Sequence, residues 1–167
     1  MKKLYLAYGS NLSMEQMARR TRHAIPVGTA TLDGYRLLFR GSMSGSYLTV
    51  EPCEGRSVPL IVWSVDEEDE KALDCYEGFP RFYYKKEIQV ELRSLINGAS
   101  LGPVPAFIYI MHEERPLDTP SLDYLTICLE GYARFGFDPE IMRQALVDSI
   151  GKRRGQKCYA SCRGEVF

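Results

Sequence analysis

Apolar residues change their spacing several times along this chain, and each change marks an element. The run Leu4-Tyr5-Leu6-Ala7 is continuous rather than alternating, the pattern of a short strand buried on both faces. Tyr8-Gly9-Ser10-Asn11 breaks it. Ser13 then reads as a helix N-cap, with Gln16 three residues on as its capping-box partner. Met14, Met17 and Ala18 recur at helical spacing and share a predicted buried face. Strand-like stretches follow at residues 30–39, 47–51 and 58–65, the last rich in Val and Ile and carrying Trp63.

A second helix is predicted after Asp66, a good N-cap. Glu67, Glu68 and Asp69 in its first turn suit the positive end of the helix dipole. Ala72, Leu73 and Tyr76 form its apolar face, and Gly78 is a natural stop. Strands are predicted at residues 82–92 and 105–111, with Asn97-Gly98 turning the chain between them. Thr119-Pro120 opens a third helix, the proline at its first position, with Tyr124, Leu125, Cys128, Leu129 and Tyr132 at helical spacing. Asp138-Pro139 opens a fourth, carrying Ile141, Met142, Ala145, Leu146 and Ile150. Strands of antiparallel type with helices between them define an α+β protein, not a doubly wound sheet.

A chain of 167 residues suits one domain and can bury a core without disulfide or metal staples. We place that domain at residues 1–150. Residues 151–167 begin Gly151-Lys152-Arg153-Arg154-Gly155-Gln156-Lys157 and read as a basic C-terminal tail of unassigned role, solvated rather than bound to RNA or lipid. Lys plus Arg number 21 against 22 for Asp plus Glu, so no global field holds nucleic acid. No apolar run approaches a membrane span, and the stretch ahead of Tyr8 is too short for a signal-peptide core. Five scattered cysteines, an odd number, read as the reduced thiols of a cytoplasmic protein.

Two places could carry chemistry. The loop Tyr8-Gly9-Ser10-Asn11-Leu12 joins a strand to a helix N-terminus, where free N–H groups can bind a carboxylate or phosphate and Gly9 lets the backbone approach a ligand. The same residues also make a plain turn capped by Asn11 or Ser13. In Leu73-Asp74-Cys75-Tyr76-Glu77-Gly78, Glu77 falls at the C-terminal end of the second helix. The negative dipole end and partial burial beside Tyr76 and Phe79 both raise its pKa, as a general base for an ammonium group requires. A solvated glutamate ahead of a helix stop has the same pattern. Ser10 lacks a nucleophile elbow, and neither His23 nor His112 has a recognisable partner for it. Cys158 and Cys162 lack a second ligand pair, so no metal is expected. Tyr84 and Tyr109 lie in strand-like segments from which they could line a pocket.

Together these pieces resemble the γ-glutamylcyclotransferase family. Leu6-Ala7-Tyr8-Gly9-Ser10-Asn11-Leu12 is similar to its N-terminal signature, and Met17 and Arg20 sit where its first helix carries an apolar residue and an arginine. Val62-Trp63, Leu73-Asp74 and Glu77-Gly78 resemble its central block, in which the glutamate before glycine is catalytic. Tyr84, with Tyr83 as the alternative, and Tyr109 resemble its pocket tyrosines. The likeness implies a small mixed β-barrel flanked by helices, with the active site at one mouth. It also implies cofactor-free cyclisation of a γ-glutamyl amino acid or amine to 5-oxoproline, with release of the amino acid or amine. The substrate's own α-amino group would attack, Glu77 would be general acid and base, and Tyr8 to Leu12, Tyr84 and Tyr109 would bind substrate. A loop N–H or a tyrosine hydroxyl would stabilise the oxyanion. A homodimer is expected by family analogy. The contrasting expectation is a silent small-molecule binding module of the same fold.

Overall fold

Strand β1 (Lys3–Ala7) is central, which explains its continuous apolar run. It runs antiparallel to β3 (Ser46–Val65), with Leu6 opposite Val62, and parallel to β5 (Ser100–Met111), with Leu6 opposite Ile108. β2 (Ile25–Gly41) pairs along β3, and β4 (Tyr83–Arg93) pairs along β5. The order β1-β3-β2-β4-β5 closes into a barrel, and its one parallel pair makes it mixed. This computed structural model describes residues 1–150, so the basic segment after Gly151, with Cys158 and Cys162, lies outside it.

The barrel closes through one narrow seam. β2 meets β4 at Thr29 opposite Arg93. Gly28 permits the approach, because a Cβ there would stand 2.5 Å from the Arg93 carbonyl oxygen and from Leu92. The stretches read separately at residues 47–51 and 58–65 are parts of one strand, β3. Pro52 to Arg56 look like a break in sequence. A bulge takes them up instead, since Asp33 pairs with Ser57 while Tyr35 pairs with Pro52.

Helices cover the barrel. In α1 (Met14–Arg20), Ser13 Oγ accepts the Gln16 N–H at 3.3 Å, as its capping role predicts. The reciprocal half of the capping box is absent among the described residues, because Gln16 Oε1 accepts from Arg20 at 2.8 Å instead. Met17 is buried, but Ala18 is exposed, so the apolar face is narrower than its spacing implies. α2 (Glu67–Glu77) has the full capping box between Asp66 and Asp69. Asp69, 1% exposed, also accepts the N–H groups of Arg22 and His23, which clips the end of α1 to the start of α2. α3 (Leu122–Phe135) begins two residues later than predicted. Its N-cap is Ser121, whose hydroxyl accepts the Tyr124 N–H, so Pro120 precedes the helix instead of opening it. α4 (Pro139–Ile150) packs on β2, where Ser149 Oγ accepts the Phe39 N–H at 2.8 Å. Cys53, Cys75 and Cys128 are free thiols, and no described helix is long and apolar enough to cross a membrane.

Candidate active site

One face of the strands builds a pocket with α2 and α3. Tyr5 lies opposite Trp63 and Phe107, so these share a face, and Tyr109 is two residues along from Phe107. Lys85, opposite Tyr109, bonds Glu70 and Asp74 of α2, so this is the face that α2 covers. Leu6, Val62 and Ile108 take the opposite face and pack inside the barrel. A cavity of about 350 Å³ opens between the covered face, the C-terminal turn of α2, and the loop after β1. Its lining comes from the C-terminal ends of β1 and β5 and the starts of β3 and β4, which lie together at one end of the barrel.

Glu77 is the last residue of α2 and lines this cavity. Gly78 fixes where the helix ends: its φ is 64°, and the Phe79 N–H returns to the Asp74 carbonyl at 2.9 Å. Burial pushes the Glu77 pKa up to about 7, against the pull of the Arg20 charge and the Asn11 hydrogen bond. The largest cause is thus desolvation. Tyr76 lines the same cavity and is 49% exposed, and Phe79 is 39% exposed.

The loop after β1 supplies the remaining polar groups. Asn11 Nδ2 donates to Glu77 Oε1 at 3.0 Å and to Tyr5 Oη at 2.8 Å. Arg20 holds the loop from behind, donating to Asn11 Oδ1 and, at 3.0 Å, to Ser10 Oγ, while its guanidinium lies 3.7 Å from the Tyr76 ring centre. Residues 10–12 form a one-turn 3-10 helix that bonds through Leu12 N–H to Gly9 O. No described backbone carbonyl accepts from the Ser10 or Asn11 N–H. Gly9 lies so close to α3 that an added Cβ would stand 3.0 Å from Tyr124 Oη.

Of the residues expected at a site, Tyr8, Gly9, Ser10, Asn11, Glu77 and Tyr109 meet on this cavity. Leu12 does not: it is fully buried against Gly131 of α3 and anchors the loop. Tyr84 does not either. It pairs with Ile110 on the face opposite that of Tyr109, and its hydroxyl donates to Glu113 at 2.5 Å. Strand alternation gives the place to Tyr83, opposite Met111, which lines the cavity and donates to the Leu48 carbonyl at 2.9 Å. Tyr109 contributes its ring, since its hydroxyl donates to Asp74 at 2.6 Å. Sequence reasoning passed over Tyr5, Tyr47 and Tyr124, which complete the wall.

The family model described as gamma-glutamyl cyclotransferase, AIG2-like, matches residues 5–126. The chain belongs to this family. A mouse gamma-glutamylcyclotransferase is 26% identical over 144 residues, covering 82% of this chain and 73% of its own. A solved gamma-glutamyl cyclotransferase structure superposes with a TM-score of 0.71 at 26% identity, over 87% of this chain and 86% of that one. A yeast gamma-glutamyl cyclotransferase specific to glutathione shares the fold, with a TM-score of 0.59 at 12% identity over 95% of this chain and 99% of its own. In a family named for γ-glutamyl cyclisation, Glu77 and the loop from Tyr8 to Asn11 become the groups to explain.

Proposed function

We propose that this protein converts a γ-glutamyl amino acid or amine to 5-oxoproline and the free amino acid or amine. The observation that carries this reading is Glu77, a cavity carboxyl whose pKa is raised to about 7 and which Asn11 orients. Near neutral pH such a group exists in both forms, so it can take a proton and return it. The ammonium of the substrate gives its proton to Glu77. Its lone pair then attacks the γ-carbonyl carbon to close a five-membered ring. The leaving nitrogen takes that proton from Glu77 as the bond to it breaks, and the freed Glu77 carboxylate then receives the second proton of the ring nitrogen and passes it to the released amine, which departs as its ammonium. The attacking group belongs to the substrate, so no serine or cysteine nucleophile is needed. The unpaired Ser10 and Asn11 N–H groups face the substrate's α-carboxylate and hold the chain bent, which supplies rate through positioning.

A silent binding module has no use for a carboxyl poised at neutrality, and no observation favours that reading. The test is mass-spectrometric detection of 5-oxoproline from γ-glutamyl amino acids, γ-glutamyl-lysine, glutathione and γ-glutamylated amines. Wild type is expected to form it from at least one substrate, and Glu77→Gln to lose about 10²–10⁴-fold of the rate. Full turnover by Glu77→Gln would remove Glu77 as the base. Absence of product from folded wild type would remove the reaction.

A further inference from the structure

The tyrosine hydroxyls on the cavity wall divide by what becomes of their protons. Tyr8 donates to the Tyr109 carbonyl at 2.6 Å, Tyr83 to the Leu48 carbonyl at 2.9 Å, and Tyr109 to Asp74 at 2.6 Å. Each is committed to holding the wall together. Tyr124 accepts the Leu48 N–H at 3.2 Å and lies against Cys128 and Gly9. Tyr5 differs from Tyr8, Tyr83 and Tyr109. It is 4% exposed, and its oxygen accepts from Asn11 at 2.8 Å. Among the described residues no acceptor takes its own proton. A buried hydroxyl that accepts without donating is an unmet donor on a cavity wall.

Its position relative to Glu77 gives that donor a task. Asn11 Nδ2 bonds both Tyr5 Oη and Glu77 Oε1, so the two oxygens lie about 5 Å apart. One tetrahedral carbon spans such a gap, with its attacking nitrogen toward the carboxyl and its oxygen toward the phenol. We infer that Tyr5 is a catalytic residue that donates a hydrogen bond to the oxyanion of the tetrahedral intermediate. This assignment rests on the cyclisation reading. When the amine nitrogen bonds the γ-carbon, the carbonyl π pair moves onto oxygen and meets the Tyr5 O–H. When the bond to the leaving nitrogen breaks, that pair returns to re-form the carbonyl, the departing nitrogen takes the proton held by Glu77, and Glu77 then accepts the second proton of the ring nitrogen and passes it to the released amine. Tyr5 keeps its own proton throughout. Burial, reinforced by the Glu77 charge, holds its pKa well above the ordinary tyrosine range, which suits a donor that does not ionise. The Ser10 and Asn11 N–H groups are then left to the α-carboxylate.

The test compares Tyr5→Phe with wild type and Glu77→Gln on whichever γ-glutamyl substrate wild type turns over. Phenylalanine retains the ring that stacks on Phe107 at 5.4 Å and meets Tyr109 edge-on at 5.6 Å, so the fold is expected to hold. The expected result is a fall in kcat of about 10²-fold. KM should stay within about three-fold, and the acidic limb of the pH profile should not move. A kcat near wild type overturns the assignment while leaving the cyclisation reading intact. A loss accompanied by a displaced acidic limb also overturns it, because Tyr5 would then act through Asn11 on Glu77. Wild type without turnover removes both readings. If Tyr5→Phe does not fold, fluorotyrosine at position 5 keeps the ring and the hydroxyl, and a kcat that ignores the change in phenol acidity counts against the donor.

Discussion

Glu77 carries opposite consequences for stability and for chemistry. Its folded pKa of about 7 stands above the ordinary 4.5, so folding favours the neutral form. Stability from this group is complete below the unfolded value. It declines as pH rises through the folded value, and above that the folded state holds a charge that burial disfavours. The cost at high pH has an upper bound of about 3 kcal/mol, because solvent reaches the carboxyl through the cavity mouth. Glu77→Gln keeps an oxygen for Asn11 and removes that charge. It is therefore expected to unfold like wild type at pH 4 but to outlast it at pH 8, as urea titrations at the two pH values will measure. Arg20 works in the other direction, since its charge pulls the Glu77 pKa down. Arg20→Gln should move the acidic limb of kcat/KM above pH 7, and a limb that stays in place would mean Glu77 does not sense that charge. Glu77 was legible in the sequence from the central block, and Arg20 from its place on the first helix. Tyr84 was the weaker choice for a reason also present in the chain. Ile88, Val90 and Leu92 mark one face of β4, and Tyr84 falls in step with them, whereas Tyr83 falls on the other face.

At the scale of elements, helix ends were easier to read than strand limits. Asp66, Gly78 and Pro139 act through local backbone geometry, which a few neighbouring residues determine, and each stands where expected. Pro120 misleads by two positions because Ser121 offers a better cap. Strands depend on distant partners. The Pro52 to Arg56 stretch becomes an excursion within β3 only because its extra residues bulge opposite Gly34 of β2, beyond which pairing resumes. Part of the pocket wall was likewise hidden, since Tyr5, Tyr47 and Tyr124 reach it only through distant strand pairing and helix packing. The joint between α2 and the pocket gives a prediction at this scale. Gly78 has a φ of 64°, and a Cβ there would lie 2.6 Å from the Phe82 ring. Gly78→Ala therefore meets both left-handed strain and a clash. It is expected to lower stability by about 1–2 kcal/mol. It should also reduce kcat, because the residue before it is Glu77. Thermal unfolding and initial rates measured on one preparation check both effects, and an unchanged kcat would show that Glu77 is placed by the cavity walls instead of by the end of α2.

In the whole molecule, closure of the barrel and construction of the pocket fall to different regions. The pocket uses β1, the start of β3, the start of β4 and the end of β5 with α2 and α3. The seam uses Gly28 and Thr29 of β2 against Leu92 and Arg93 at the far end of β4, and none of these lines the cavity. One residue pair bridges the seam, so backbone approach there is the point where the barrel is most sensitive to added volume. Gly28→Ala places its new carbon 2.5 Å from a backbone carbonyl oxygen, which cannot swing aside as a side chain could. The strands must part or one must shift, at a cost of about 1–3 kcal/mol by analogy with overpacked cores. The core formed by β1, β3 and β5 stays paired through Leu6, Val62 and Ile108, and this framework positions Tyr5 and Tyr109 on its other face. Gly28→Ala is thus expected to melt several degrees below wild type while keeping kcat and the pH profile at temperatures where it remains folded. Parallel loss of kcat in the folded state would show that strain at the seam reaches the pocket through β4, with Tyr83 at the other end of that strand as the residue to examine.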